Sequence, residues 1–325
     1  MPLPRPTVLI VTPSAPATLV VPTLERPLAA ACPAAAALEI IDWRDGTDPY
    51  RALSAHLAGS RRVAAGDRMW AVHLLALQAL EPARRWSSAA AVTGPLRARK
   101  DPEEVAALRR AARGADAALA ELLGGSIRGR TERAVAADLA SLLVSHGHET
   151  AEFTIVASGP NAASPHHEPT DRTIVPGDAL VLDFGGMVDG YHSDITRTVS
   201  IGEPGTDVAA VHEVVATAHA AACATIRPGV AIEEIDAAAR AVITDAGFGE
   251  RFIHRTGHGI GLEVHEPPYA VAGDRTVLEP GMTFSVEPGI YLDGRFGVRI
   301  EDIVAVTDDG VELLNDAPRA LVAAG

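Results

Sequence analysis

Cysteine, positive charge and long apolar runs are all scarce in this chain. Its 325 residues include only Cys32 and Cys223, which rules out a disulfide framework or a thiolate-built metal site. Lysine and arginine number 28 against 42 aspartates and glutamates, a net charge of −14. A chain of that sign is repelled by phosphate backbones and anionic membranes, so neither nucleic acid nor a lipid surface is expected as its main partner. No run of about 18 uninterrupted apolar residues is present, since Pro33 and Glu39 break the alanine-rich stretch at 29–41. The apolar Val8–Val11 run is too short and too crowded by prolines for a secretory signal. What remains, 47% hydrophobic residues, predicts a cytoplasmic, globular protein of about two domains.

A linker is expected at 93–101, where Thr93-Gly94-Pro95 precedes a charged run ending in Lys100-Asp101. Before it, Thr18–Val21, Leu38–Ile41 and Arg62–Ala65 read as strands, with helices at Pro49–Leu57 and Met69–Leu80. Residues 1–95 are therefore expected to form a small α/β domain, with His56 and His73 as surface or packing residues. After the linker, Asp101 can cap a helix whose first turn holds Pro102, Glu103 and Glu104. Further helices are expected near 131–146, 206–226 and 232–246, separated by β-rich segments, so that 101–325 reads as α+β.

An internal repeat runs through this second part. Pro176-Gly177, Asp183 and Asp189-Gly190 recur at the same spacing as Pro280-Gly281, Glu287 and Asp293-Gly294. Upstream, Gly129 and Gly147 are matched by Gly229 and Gly247. Each copy predicts two helices and then a hairpin turning at Asp-Gly, and two copies predict halves related by a pseudo-twofold axis.

The chemistry follows from where the acids fall. Apolar Ala179–Leu182 leads into Asp183, and Asp194 lies on the return strand; Phe284–Val286 leads to Glu287, and Val298–Ile300 leads to Glu301. Four carboxylates brought to one seam repel one another unless something positive joins them. Two divalent ions would neutralise them, and the glycine-rich segment from His254 through His258 to His265 adds imidazoles. An oxygen-rich set with one nitrogen suits Mn²⁺ or a similar ion better than structural zinc, and such an ion pair is the apparatus of a metal-dependent hydrolase.

Five stretches resemble the pita-bread metallopeptidase superfamily, which includes methionine aminopeptidase, aminopeptidase P, prolidase and the metal-free creatinases. They are Leu182–Gly185, Gly190–Arg197, Thr256–Gly261, Val286–Gly289 and Val298–Asp302. The resemblance covers about 104–315 and implies the pita-bread fold, with Asp183, Asp194, His258, Glu287 and Glu301 as ligands of two divalent ions. Mn²⁺ is the first expectation, with Co²⁺ or Zn²⁺ as alternatives. It also implies two histidines that steady the reacting carbonyl, His265 and one from His166-His167. Spacing to Asp183 favours His166, whereas the repeat favours His167. Neighbours on an extended chain face opposite ways, so one of them is expected in the site, and His166 is the choice. His254 is then a supporting pocket histidine, Arg299 a substrate-binding or supporting cation, and Glu287 the proton carrier.

The front domain, with Asp42–Gly46 and Arg68–Trp70, resembles a shortened form of the one in prolidases and aminopeptidases P, where it helps to form a homodimer and roofs the active site. The leading expectation is hydrolysis of Xaa-Pro dipeptides. Aminopeptidase P activity on longer peptides is the alternative, and a non-catalytic peptide-binding role the remote one.

Overall fold

A computed structural model describes residues 5–13 and 15–325, so the first four residues and Ser14 of the expected front domain lie outside the described residues. Two compact units emerge, Met1–Gly94 and Pro95–Gly325.

In the first unit, β1 (Val8–Thr12), β2 (Ala15–Pro22) and β3 (Leu38–Trp43) form one sheet in that order, with α1 (Arg26–Ala31) between β2 and β3. Next come α2 (Pro49–His56), β4 (Arg62–Ala65), α3 (Ala71–Leu80) and β5 (Arg85–Ser88), with β4 and β5 paired in parallel. Ile10, Val20, Trp43, Leu53 and Leu77 make its core. His73 is a packing residue: its Nδ1 meets Tyr50 Oη at 2.9 Å and its ring stacks on Trp70.

The expected linker is largely helical. Residues Ala90–Ala98 form α4, with Pro95 inside it. Ser88 Oγ accepts from Ala90 N at 2.9 Å, and alanines fill the first turn, which outweighs the backbone bond that Pro95 forfeits.

In the second unit α5 (Pro102–Gly124) starts as its sequence dictates. Asp101 Oδ1 accepts from the N–H groups of Glu103 and Glu104, and Glu104 Oε2 accepts from Asp101 N. Then follow α6 (Glu132–Ser145), β6 (Thr150–Ser158), β7 (Ala179–Val188), β8 (Tyr191–His192) and β9 (Ile195–Ile201). The second half begins with α7 (Thr206–Thr225) and α8 (Glu233–Asp245) and continues through β10 (Gly257–Gly259), β11 (Glu266–Ala270), β12 (Thr283–Val286), β13 (Gly289–Leu292), β14 (Phe296–Arg299) and β15 (Asp302–Val306). β16 (Val311–Leu313) and β17 (Ala323–Ala324) close the chain.

One sheet runs β17-β9-β7-β6 with β8 on β7, the other β11-β10-β12-β15-β16. Helices α5 and α6 cover the first, placing Leu119, Val135, Leu139 and Leu143 against Leu180, Leu182, Phe184 and Ile195. Helices α7 and α8 cover the second, with Val211, Val215, Ile235 and Ile243 against Phe284, Val286 and Val304 of that sheet and Val298 of β14. By length and composition alone α7 would pass for a membrane span; here one face of it is core.

The repeat is visible in the backbone. Gly129 N donates to Ile174 O and Gly229 N to Leu278 O, both at 2.9 Å. These glycines have φ of 80° and 87°, values that side chains resist. The halves meet where Glu301 N donates to Thr196 O at 3.0 Å.

One expectation is corrected. The second copy is not a single hairpin like the first: β12 pairs with β15, while β13 and β14 form a separate two-stranded ribbon. Pro288 has no N–H for a ladder, so the strand breaks immediately after Glu287.

Candidate metal centre and active site

The two halves contribute unequal parts of one donor cluster. Asp183 lies mid-β7, opposite Thr196, and its neighbours Leu182 and Phe184 point into the core, so the alternation of the strand turns its carboxylate to the other face. Asp194 fills the break between β8 and β9. His258 sits between two glycines on β10, Glu287 follows β12, and Glu301 lies between β14 and β15.

Donor atoms of Asp194, His258 and Glu301 all fall within 4.8 Å of one another. His258 Nε2 is 3.5 Å from Asp194 Oδ2 and 3.4 Å from Glu287 Oε1. Its Nδ1 faces Gly259 O at 3.1 Å, which fixes the proton there and leaves Nε2 as the donor atom. Asp183 gives one oxygen to Arg299, while its Oδ1 and that of Asp194 are buried without a hydrogen-bond partner among the described residues.

Burial raises Asp183, Asp194 and Glu301 above the usual carboxylate range, and their mutual repulsion adds to it for Asp194 and Glu301. Burial also raises Glu287, but His258, His254 and Arg299 more than reverse that and leave it lowered. Buried carboxylates with idle oxygens beside an oriented imidazole are the donor set that a divalent cation takes, and the residues fit one.

These groups line a cavity of about 680 Å³ together with His166, His254, Arg255, His265 and Arg299. Among the described residues, the imidazoles of His166 and His265 make no hydrogen bond to protein, so both are available to a bound molecule. Burial, then the charges of His258 and Arg255, push His265 down to about 4; at neutral pH it offers an N–H without carrying charge.

The neighbour of His166 is occupied elsewhere: His167 Nε2 meets Glu132 Oε2 at 3.0 Å. His254 is occupied too, through Arg255 O at 2.7 Å and Tyr291 Oη at 2.8 Å. Arg299 spends its donors on Thr196 Oγ1, Tyr291 Oη, Asp183 and Pro165 O. It therefore holds a carboxylate and the His166 loop in place with four of its five N–H groups.

Several supports were not apparent in the sequence. Arg197, buried, donates to Glu301 O, Thr196 O and Asp302 Oδ1, stapling the seam behind the donors. Lys100 Nζ meets Glu266 Oε1 at 2.7 Å and so anchors the backbone next to His265, although in the sequence it is part of the charged run of the expected linker.

Glu132 opens α6 and would pass for an ordinary first-turn acid. In the fold it accepts from Ser158, Asn161, His167 and Thr170, cinching the loop that carries His166. Burial alone would raise it, yet these hydrogen bonds hold it down at about 2 against an ordinary 4.5. The ionised form thus adds stability that is complete above pH 4.5 and disappears as pH falls towards 2, on the order of 3 kcal/mol. Chemical denaturation of Glu132→Gln is expected to show a loss of that size at pH 7, narrowing as both proteins are acidified from pH 5 to pH 2. A gap that stays constant with pH would contradict the assignment.

Comparison with known proteins agrees with this geometry. The model of metallopeptidase family M24 matches residues 106–308. A probable dipeptidase PepE of Mycobacterium tuberculosis is 48% identical over 326 residues, covering 98% of this chain and 85% of that one. Among solved structures, dipeptidase PepE from Mycobacterium ulcerans superposes with a TM-score of 0.94 at 44% identity, covering 100% of this chain and 88% of the other. A prolidase from Thermococcus sibiricus gives 0.93 at 36% identity, covering 99% and 88%.

Proposed function

Since the chain belongs to metallopeptidase family M24, we propose that it is an Xaa-Pro dipeptidase whose two divalent ions, Mn²⁺ in the first instance, are held by Asp183, Asp194, His258, Glu287 and Glu301. The observation that carries this reading is the convergence of Asp194, His258 and Glu301 within 4.8 Å at the floor of a cavity with two unengaged histidines. Relatives named Xaa-Pro dipeptidase, such as that of Pyrococcus furiosus at 40% identity over 228 residues, support the choice of substrate. Bound ions would supply Lewis-acid polarisation of the peptide carbonyl and lower the pKa of a water.

The remaining steps belong to the chain. His265 and His166 each donate an N–H to the carbonyl oxygen as negative charge develops on it. Glu287 takes a proton from the water that adds to the carbonyl carbon and delivers it to the imide nitrogen as the C–N bond breaks. Arg299 pairs with Asp183 and holds the His166 loop through Pro165 O. The protein is proposed to act in the cytoplasm as a homodimer on Xaa-Pro peptides, with neither nucleic acid nor membrane as a partner.

The test is to load purified protein with Mn²⁺ and offer Ala-Pro, Ala-Pro-Pro and Met-Ala-Ser. Proline release from Ala-Pro alone is expected. Cleavage of Ala-Pro-Pro moves the reading to aminopeptidase P, and no metal-dependent turnover of any of them leaves only a peptide-binding role.

A further inference from the structure

The cavity contains two arginines, and only one is spoken for. Arg299 directs four of its five N–H groups to protein acceptors. Arg255 is half-buried on the cavity wall, and among the described residues its guanidinium makes no hydrogen bond or ion pair. Its Cζ lies 4.4 Å over the ring of Tyr269, a residue fixed in β11 opposite His258. Stacking occupies the flat face of a guanidinium and leaves its in-plane N–H groups free, which is the geometry that grips a carboxylate with two parallel bonds.

The groups along the wall supply the rest. His258 packs against His265 with ring centroids 4.0 Å apart, and the Arg255 charge acts on His265 from nearby. A metal donor, a carbonyl-facing histidine and an arginine with unengaged N–H groups thus line one cavity. In a dipeptide the free carboxylate lies one residue beyond the scissile carbonyl, whereas in a longer peptide that place is taken by an amide and more chain.

We propose that Arg255 binds the C-terminal carboxylate of the substrate and is the residue that selects dipeptides over longer Xaa-Pro chains. This rests on the Xaa-Pro reading above, and Tyr269 is its positioning partner, holding the guanidinium flat.

The experiment compares Ala-Pro with Ala-Pro-amide in the Mn²⁺-loaded wild type, Arg255→Gln and Arg255→Met, the last retaining an apolar stem over Tyr269. Wild type is expected to favour the acid by about 100-fold in kcat/KM, and both variants to lose most of that preference through a higher KM for Ala-Pro. L-proline should likewise inhibit wild type better than L-prolinamide, and the variants should not tell them apart. A variant that folds, shows the Mn²⁺-induced rise in Tm and keeps the wild-type acid-to-amide ratio overturns the proposal. If wild type cleaves neither substrate, the Xaa-Pro reading fails by itself; direct binding of proline against prolinamide then still judges Arg255.

Discussion

Asp194→Asn is expected to make the chelator-treated protein more heat-stable while abolishing the rise in Tm that Mn²⁺ gives the wild type. The cause is one cluster seen in two states. Without cations, Asp194 shares a buried space with Asp183, Glu287 and Glu301, and burial plus repulsion raise its pKa well above normal. Its Oδ1 also finds no hydrogen-bond partner among the described residues. A neutral amide of the same size removes a buried charge from that repulsive set. With cations, the balance reverses. A ligand present at 100 times its Kd stabilises by about 2.7 kcal/mol, and the variant has one donor fewer to hold it. Turnover should fall by roughly three orders of magnitude or more, as for loss of a group that acts only with its partners. Scanning calorimetry with EDTA and with Mn²⁺ reads both halves of the prediction. Equal Mn²⁺ stabilisation of variant and wild type would show that the cation binds somewhere else.

Gly257→Ala is expected to damage the fold more than any single change at the cavity surface. A Cβ at this position would collide with the Ser285 backbone carbonyl, with the Ser285 carbonyl carbon only 2.8 Å away. Neither side can yield easily: β12 is paired with β15 along its length, and β10 is held by β11. Overpacking a rigid site costs about 1–3 kcal/mol and occasionally more, and the upper end is expected here. The displacement also falls on His258, the next residue, so metal-dependent stabilisation should be lost along with it. Gly310→Ala is the control, since its Cβ would meet nothing closer than Thr307 Oγ1 at 4.0 Å and its midpoint should barely move. If the two variants unfold at the same urea concentration, the close approach at Gly257 carries no energetic weight.

The family, the helices and the register of the acids could be read from the sequence because each rests on local pattern. Asp101 and Pro102 announce α5, and an acid set among Leu180, Leu182 and Phe184 must turn its carboxylate away from the core. What could not be read depends on partners far along the chain. Spacing and the repeat point to different members of the pair His166-His167, and Glu132, about 35 positions earlier, holds His167. Arg299 reads from the sequence as either a supporting or a substrate-binding cation, and only the fold places Asp183, Thr196 and Tyr291 around it. Arg255 stood unnoticed inside a histidine-rich segment, because the absence of an acid partner is a property of the fold. The helix over the expected linker shows the reverse case, where Gly94-Pro95 gave a strong local signal that the capped, alanine-rich surroundings overrode.

The bridge between Thr196 and Glu301 has a wider meaning. Thr196 Oγ1 donates to Glu301 Oε2 at 2.6 Å and accepts from Arg299 Nε at 3.1 Å, so one hydroxyl touches the last donor of the second half and the cation that restrains Asp183 of the first. Neither half brings a full set of donors, since one supplies two acids and the other an imidazole and two acids. In the proposed centre, cation affinity would gauge how firmly the duplicated lobes are clasped, and any drift that parts them would register first as a leak of the ion.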